Sequence, residues 1–298
     1  MDVRHLKYFL GVVDHGGFGR AATHLHVAQP SLSQAVAALE RELGVELFHR
    51  IGRRVVVSEP GLALIEPARR AVRELDAVRA TVDSLKGRLV GQVDLALMPS
   101  QGVEPFSTVA LTFGNLYPGL TISAQAAYTS VEVIGLVSSG ACELGLTGGA
   151  AMLPPPGVHI ENVEEQDMEL IGRPGEPFED GSVVHHHDLA NQRLITSPVG
   201  SVMRLVVDDI MASGVDVDLA VEVAHRSSIL PLVLAGGGLT VLSAAWTDLA
   251  RRCGAAVMQL TPTVTLQVAL AYREGHPLTP AASAFVNVIR EYASEQHG

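Results

Sequence analysis

Two cysteines in 298 residues, Cys142 and Cys253, lie more than a hundred positions apart, which excludes a disulfide framework. Inert thiols are the plain reading, and a redox-sensing pair is the alternative if folding brings them together. No apolar run approaches the ~18 to 20 residues that a membrane span needs. The start of the chain, with Asp2, Arg4 and Lys7 in a short helical pattern, lacks a secretion signal, so a cytoplasmic protein is expected. Catalytic motifs are missing as well: there is no nucleophile elbow, no HExxH and no close carboxylate pair at strand ends. An enzyme is therefore not expected. His5, His15, His24, His26 and His49 are scattered without ligand spacing, which leaves no expected metal or other cofactor.

What is present suits globular domains, since 47% of residues are hydrophobic and low-complexity runs are few. The net charge of -11 argues against nucleic acid until its distribution is read. Residues 1–90 hold 13 Lys+Arg against 10 Asp+Glu, whereas the remaining 208 hold 8 against 22. A mildly basic head on an acidic body can bind phosphate locally while the body repels it.

The basic part carries the most informative stretch. Phe18, Ala21, Ala22 and Leu25 recur at i, i+3, i+4 and i+7, the apolar face of a short helix. After a turn at His26-Val27-Ala28, Leu32, Ala35, Val36 and Leu39 repeat that spacing until Gly44 stops the helix, with Pro30 in its first turn. Its outer face presents Ser31, Ser33, Gln34, Ala37, Ala38 and Arg41, short hydrogen-bonding groups of little bulk that fit a major groove. LFHRIGRRVVVS then reads as strand, turn, strand, with Arg50, Arg53 and Arg54 around Gly52. A preceding helix bearing Leu6, Phe9, Leu10 and Val13 completes a three-helix core. Gln29, Pro30, Ser31, Ser33 and Gln34 are the candidates for base edges, and Arg50, Arg53 and Arg54 for phosphates or a minor groove. A solvated helix face with surface arginines is the competing account.

These residues carry a resemblance. LKYF, the Gly-Phe and Ala-Ala run, AQPSLSQ, LERELG, LFHR, GRR and Gly61 make the first sixty positions similar to the DNA-binding domain of LysR-type transcriptional regulators. One departure is Gly17, where that family usually has a serine N-cap; glycine caps less well by roughly a few tenths of a kcal/mol.

Beyond Ser58, an N-cap, a helix is expected from Gly61 to about Leu85. Ile65, Ala68, Val72, Leu75 and Val82 fall on an a/d repeat, widened by Ala71, Val78 and Leu85 and interrupted by Arg79. The resemblance implies a linker helix that pairs with its copy in another subunit, with Ile65, Val72, Leu75 and Val82 as dimerisation residues. A helix lying against its own domain is the alternative.

After a hinge at LKGRLVG the pattern alternates strand and helix: strands over 92–97, 121–126 and 144–147, helices over 103–116 and 130–139. MLPPPG makes a rigid connector. A crossover strand near 161 leads into a second α/β unit, and a returning strand over 267–272 and a final helix close the chain. The whole is expected to be α/β, with an N-terminal winged helix-turn-helix, a long linker helix and a two-lobed effector domain resembling periplasmic binding proteins. Expected boundaries are 1–60 for the head, 61–87 for the linker, 91–160 with 268–298 for one lobe and 161–267 for the other.

In two-lobed α/β folds a ligand sits in the crevice outside strand C-termini. Ser100, Gln101, Thr129, Ser130 and Thr147 follow successive strands there, where hydroxyls and helix-start N–H groups favour an anion. Gly200, Ser201 and Val202 face them from the second lobe, and Arg226 offers a charge. The resemblance implies that positions matching Ser100 and Thr129 line an effector cleft. Helix capping is the competing reading; it stands level at Ser100 and takes precedence at Thr147 and Arg226. His185-His186-His187 reads as an exposed loop with Asp188 capping the next turn, and Ala235-Gly236-Gly237-Gly238 as a helix end rather than a phosphate loop. The expected protein binds promoter or operator DNA and a small anionic effector, has no membrane partner, and forms a homodimer or homotetramer. The alternatives are a thiol-based redox regulator and a solute-binding transport component, though AQPSLSQ on a helix has no place in the latter.

Overall fold

A computed structural model describes residues 2–51, 54–85, 89–149, 154–175 and 177–296, and the chain divides into two compact units, Met1–Val90 with Ser139–Ala141 and Gly91–Ser138 with Cys142–Gly298. The hinge residue Gly87 and Met152-Leu153 of the proline-rich connector lie outside the described residues.

The first unit begins with α1 (Val3–His15), whose N-terminus is capped by Asp2 and whose end turns at Gly16 in the left-handed region. α2 (Phe18–His24) and α3 (Gln29–Leu43) follow, joined by a turn in which His26 has φ 52°. No side chain caps α2 at Gly17; instead Arg20 reaches back from it to the carbonyls of His15 and Gly16, closing the end of α1. The hairpin β1 (Phe48–Ile51) and β2 (Arg54–Val57) pairs Phe48 with Val57 and Ile51 with Arg54. Glu40 fixes the start of the hairpin by accepting the Leu47 and Phe48 N–H groups. The spaced apolar residues meet as intended: Leu6, Phe9, Ala21, Leu32, Val36 and Leu39 are buried together, with Phe9 and Phe18 each 5.5 Å from Phe48.

α4 (Glu59–Leu85) starts one residue after Ser58, whose hydroxyl accepts the Gly61 N–H and donates to Glu46. A Cβ on Gly61 would lie 2.3 Å from the Leu47 carbonyl oxygen, so glycine is required for this close approach. The apolar repeat of α4 is divided. Leu64, Ile65, Ala68 and Val72 pack on the head core, and Lys7–Asp76 and Arg69–Asp14 ion pairs tie the helix to α1. Val78 and Val82 remain exposed. Pro67 stands inside the helix and removes one backbone donor.

The second unit opens with β3 (Gly91–Leu97), α5 (Pro99–Val103), α6 (Phe106–Leu116), β4 (Leu120–Ala126), α7 (Ser130–Ser138) and β5 (Leu144–Gly149). The helix expected over 103–116 begins at Phe106, and the separate short helix α5 precedes it, because Pro105 holds Glu104 in extended backbone at φ -142°, ψ 140°. β3, β4 and β5 pair in parallel, and Gly145 admits Val133 and Val137 of α7 onto the sheet. β6 (Val158–Gly172) is the long crossing strand. β7 (Val183–His185), β8 (Arg193–Thr196), α8 (Val202–Ala212), β9 (Asp218–Glu222), α9 (Ile229–Leu234), β10 (Leu239–Ser243), α10 (Thr247–Arg252) and β11 (Ala256–Thr261) build the second lobe. β12 (Thr265–Arg273) returns antiparallel to both β5 and β6, and α11 (Pro280–Gln296) covers the first lobe through Phe285, 5.5 Å from Phe113. Within β6, residues 158–167 pair with β12 and residues 168–171 with β10, so one strand serves both lobes. β7, at 3 residues, and α10 and β11, at 6 each, are too short for a periodicity to declare itself.

The histidine run departs from expectation. His186 is buried at 8% exposure, while His185 and His187 stack outside at 5.2 Å. Asp188 does not cap the following turn; it accepts the His185 N–H from three residues on. His186 opens the 3-10 turn His186–Leu189 that follows β7, and that turn carries the middle ring inward. Burial holds the His186 imidazole below its usual pKa, opposed by Asp209 and by a bond to the Pro262 backbone.

Candidate nucleic-acid face and ligand cleft

α3 offers a helix start that nothing in its own chain closes. Ala28 is its N-cap and provides no side-chain acceptor, and proline occupies the first turn. Gln29, Pro30, Ser31 and Gln34 are exposed and Ser33 half-exposed. None of their side chains has a hydrogen-bond partner among the described residues, whereas Arg41, further along, folds back onto the Ala37 carbonyl. The face is therefore unspent donors and acceptors with backbone N–H groups at one end, an arrangement able to accept a phosphate and read base edges together. Arg50 lies on β1 and Arg54 on β2, while Arg53 falls outside the described residues. His15 and His24, unrelated in sequence spacing, lie 4.0 Å apart with their rings tilted by 37°.

In the second unit the candidate ligand residues separate into groups. Thr129 accepts the Glu132 N–H at the start of α7 and Ser201 accepts the Arg204 N–H at the start of α8, so both cap helices. Val202 follows, half-buried in the first turn of α8. Ser130 donates to the Gly148 carbonyl at 2.7 Å. Ser100 accepts the Trp246 indole N–H at 3.3 Å, joining the first lobe to the second. Gln101 is fully buried, with neither atom of its amide hydrogen-bonded among the described residues. Thr147 is withdrawn from any cleft: it is fully buried on β5 and its hydroxyl donates to the Met98 sulfur at 3.3 Å.

Arg226 behaves differently. It lines a cleft of about 320 Å³ together with Met98, Pro99, Gln125, Tyr128 and His225. Its guanidinium donates to the Met203 sulfur at 2.9 Å, a sulfur also bonded by Ser197, and no carboxylate pairs with it among the described residues. Burial lowers its pKa to about 10, still far above neutrality, so the charge persists. A half-buried cation held by one thioether rather than an acid is a ready receptor for an incoming anion. The sequence favours a structural role for Arg226, as for Thr147, and does not point to Met98, Met203, Tyr128 or His225; a lone arginine at the end of a strand pattern carries no local sign of its isolation.

The chain matches the family model for the LysR substrate binding domain over residues 86–294, and that for the bacterial regulatory helix-turn-helix protein, lysR family, over residues 3–62. The hydrogen peroxide-inducible genes activator of Pectobacterium carotovorum subsp. carotovorum is 28% identical, over 98% of this chain and 97% of the relative. The RuBisCO operon transcriptional regulator of Allochromatium vinosum is 26% identical over 100% and 98%. Among solved structures, full-length CbnR complexed with its target DNA matches at TM-score 0.73 and 24% identity, covering 98% of this chain and 100% of that one, a likeness of fold.

Proposed function

Since the chain belongs to the LysR family of transcriptional regulators, we propose that it binds operator DNA through α3 and its arginine hairpin and is switched by a small anion held at Arg226. In this reading residues 1–60 are the DNA-binding head, 61–87 the linker, 91–160 with 268–298 one effector lobe, and 161–267 the other. The protein works as a homodimer or homotetramer in the cytoplasm and is not an enzyme. The relatives named above are regulators, and among the described residues no helix is long and apolar enough to cross a membrane.

The observation that carries the DNA reading is the unspent polar face of α3 beside an uncapped helix start. Gln34, Ser31 and Ser33 supply base-edge contacts, Gln29 and the free N–H groups a phosphate contact, and Arg50, Arg53 and Arg54 the electrostatic part. The effector reading rests on Arg226, with a carboxylate as the natural counter-ion. Closure of the lobes around that ligand shifts the poses of paired chains and, through α4, the spacing of two heads on two half-sites. The deciding experiment is a salt-titrated binding assay on the DNA upstream of the gene, with random DNA of equal length as control. Preference for the upstream fragment that an organic acid modulates supports the reading; equal, salt-erased binding to both refutes sequence-specific recognition.

A thiol-based reading is favoured by one comparison, the relative named for hydrogen peroxide, and by the exposure of Cys253. Cys142 is buried, so Cys253 is where such chemistry begins. Peroxide treatment that alters DNA affinity in wild type and not in Cys253→Ser would select this reading over a metabolite sensor.

A further inference from the structure

The lining of the cleft at Arg226 narrows the class of anion it takes, given the reading above in which Arg226 holds the effector. Arg226 is the single Lys or Arg among the described lining residues, and no Asp or Glu stands among them. Its Nη1 donates to the Met203 sulfur. Nε and Nη2 have no partner among the described residues, and neither is sealed in the interior. That leaves the side of the guanidinium that can grip both oxygens of one carboxylate. Leu97, Met98, Pro99, Ala124 and Ala126 supply the apolar wall, from the end of β3, the start of α5 and the end of β4.

Tyr128 is the second, independent feature of the lining. It is 48% exposed, and no other ring packs on it among the described residues. Its backbone is nevertheless fixed. The Tyr128 N–H donates to the Glu132 carboxylate at 2.6 Å, and the Glu132 N–H donates to the Thr129 hydroxyl at 3.2 Å. This reciprocal pair at the start of α7 anchors Tyr128 without using its side chain, so the phenol ring is held at the cleft and left open.

One cation without an acid, an apolar wall and an open ring call for a ligand with a single charge on an apolar, aromatic body. We propose that the cleft takes an aromatic monocarboxylate, its carboxylate on the Arg226 guanidinium and its ring against Tyr128 and the apolar wall. A second carboxylate would find no second Lys or Arg in the lining and would lose its hydration against apolar surface. Inorganic phosphate, with more charge and no apolar body, fails for the same reason. The volume of about 320 Å³ lies at the lower end for small-molecule sites, which suits a single ring. An offset or edge contact between that ring and Tyr128 adds to the gain from area burial alone.

The test is isothermal titration calorimetry of the full-length protein with benzoate at several temperatures. Cyclohexanecarboxylate has the same charge and similar bulk without a π face, succinate a second carboxylate, and inorganic phosphate no apolar body. Benzoate should saturate one site with a negative heat-capacity change, the mark of apolar burial. Cyclohexanecarboxylate should bind about two- to tenfold more weakly, the increment of an aromatic pair, and succinate and phosphate more weakly still. Tyr128→Leu keeps apolar bulk at a half-exposed side chain and should erase the advantage of benzoate over cyclohexanecarboxylate, a change of ratio that misfolding would not produce. No saturable heat from benzoate, succinate or phosphate as tight as benzoate, or an unchanged ratio in Tyr128→Leu overturns the aromatic class. Arg226→Met separates this from the reading on which it rests. If another anion binds wild type and is lost in Arg226→Met, the anchor stands and the aromatic class alone falls; benzoate binding that survives Arg226→Met overturns the anchor as well.

Discussion

Replacing Arg226 with methionine should separate ligand recognition from stability, because the two are set against each other at that position. The guanidinium has only the Met203 sulfur and no acid among the described residues, and burial lowers its pKa from 12.5 to about 10. That depression corresponds to about 3 kcal/mol disfavouring the charged form in the fold. The direction fixes the pH window: the full cost is present at every pH below about 10 and is relieved only above it, so at pH 7 the folded protein bears all of it. Residual exposure and the lost sulfur contact reduce the gain on substitution. Methionine of similar volume should then stabilise the ligand-free protein by ~1–2 kcal/mol, in line with the neutral-to-favourable replacement of buried charges by apolar groups. For a unit of this size that is about 2–6 °C in Tm.

Anion binding should move the other way. Removing the cation of a buried pair costs about 2–5 kcal/mol, which weakens carboxylate binding about 30- to 5000-fold. The assay is thermal unfolding of wild type and Arg226→Met, each alone and with a panel of mono- and dicarboxylates. The expected result is a higher Tm without ligand and no upward shift with any acid that stabilises wild type. A lower ligand-free Tm would mean that the arginine is a structural strut, and a retained ligand shift would place the anion elsewhere; either refutes the reasoning.

Gln34→Ala should reduce preference for the upstream fragment by ~1–3 kcal/mol while leaving the salt slope alone, whereas Arg54→Ala should weaken all DNA and lower that slope by about one; anisotropy titrations at several salt concentrations distinguish them. Gly61→Ala places a Cβ 2.3 Å from the Leu47 carbonyl oxygen and should destabilise the head by about 1–3 kcal/mol, read as a lower urea midpoint with loss of DNA binding; an unchanged midpoint would show that α4 can slide. His186 has its pKa lowered by burial, so the unfolded chain takes up a proton that the fold resists. Stability should therefore fall as pH drops from about 6.5 through the lower folded value, and His186→Gln should flatten that part of the Tm–pH curve.

How much of this was legible depended on whether a signal was local. The head was readable because its core residues are neighbours on short helices: Leu32, Val36 and Leu39 are spaced in sequence as they are in space. Parallel pairing of β3, β4 and β5 followed from alternation alone. The ligand cleft was not readable in the same way. Ser201 and Thr129 look alike in sequence whether they cap a helix or touch a ligand, and both cap. Arg226 and Met203 lie 23 residues apart and meet only through the packing of α8 against the turn that precedes α9. His186 shows the limit for burial, since three consecutive histidines give no pattern and the 3-10 turn that begins after β7 carries the middle ring inward.

The apolar repeat of the linker helix divides between two surfaces, because apolar residues serve whichever surface is nearest. Ile65, Ala68 and Val72 are spent on the head, where Ala68 is 1% exposed and two ion pairs fix the helix to α1. Leu75 is half-buried, and Val78 and Val82 remain open at 60% and 45%. The first half of α4 therefore belongs to the rigid body of the head. Among the described side chains, Leu75, Val78 and Val82 are the apolar positions left for a partner. A paired state built on them needs further contact area from elsewhere in the chain, and a ligand that perturbs that other contact would reach the heads without touching α4.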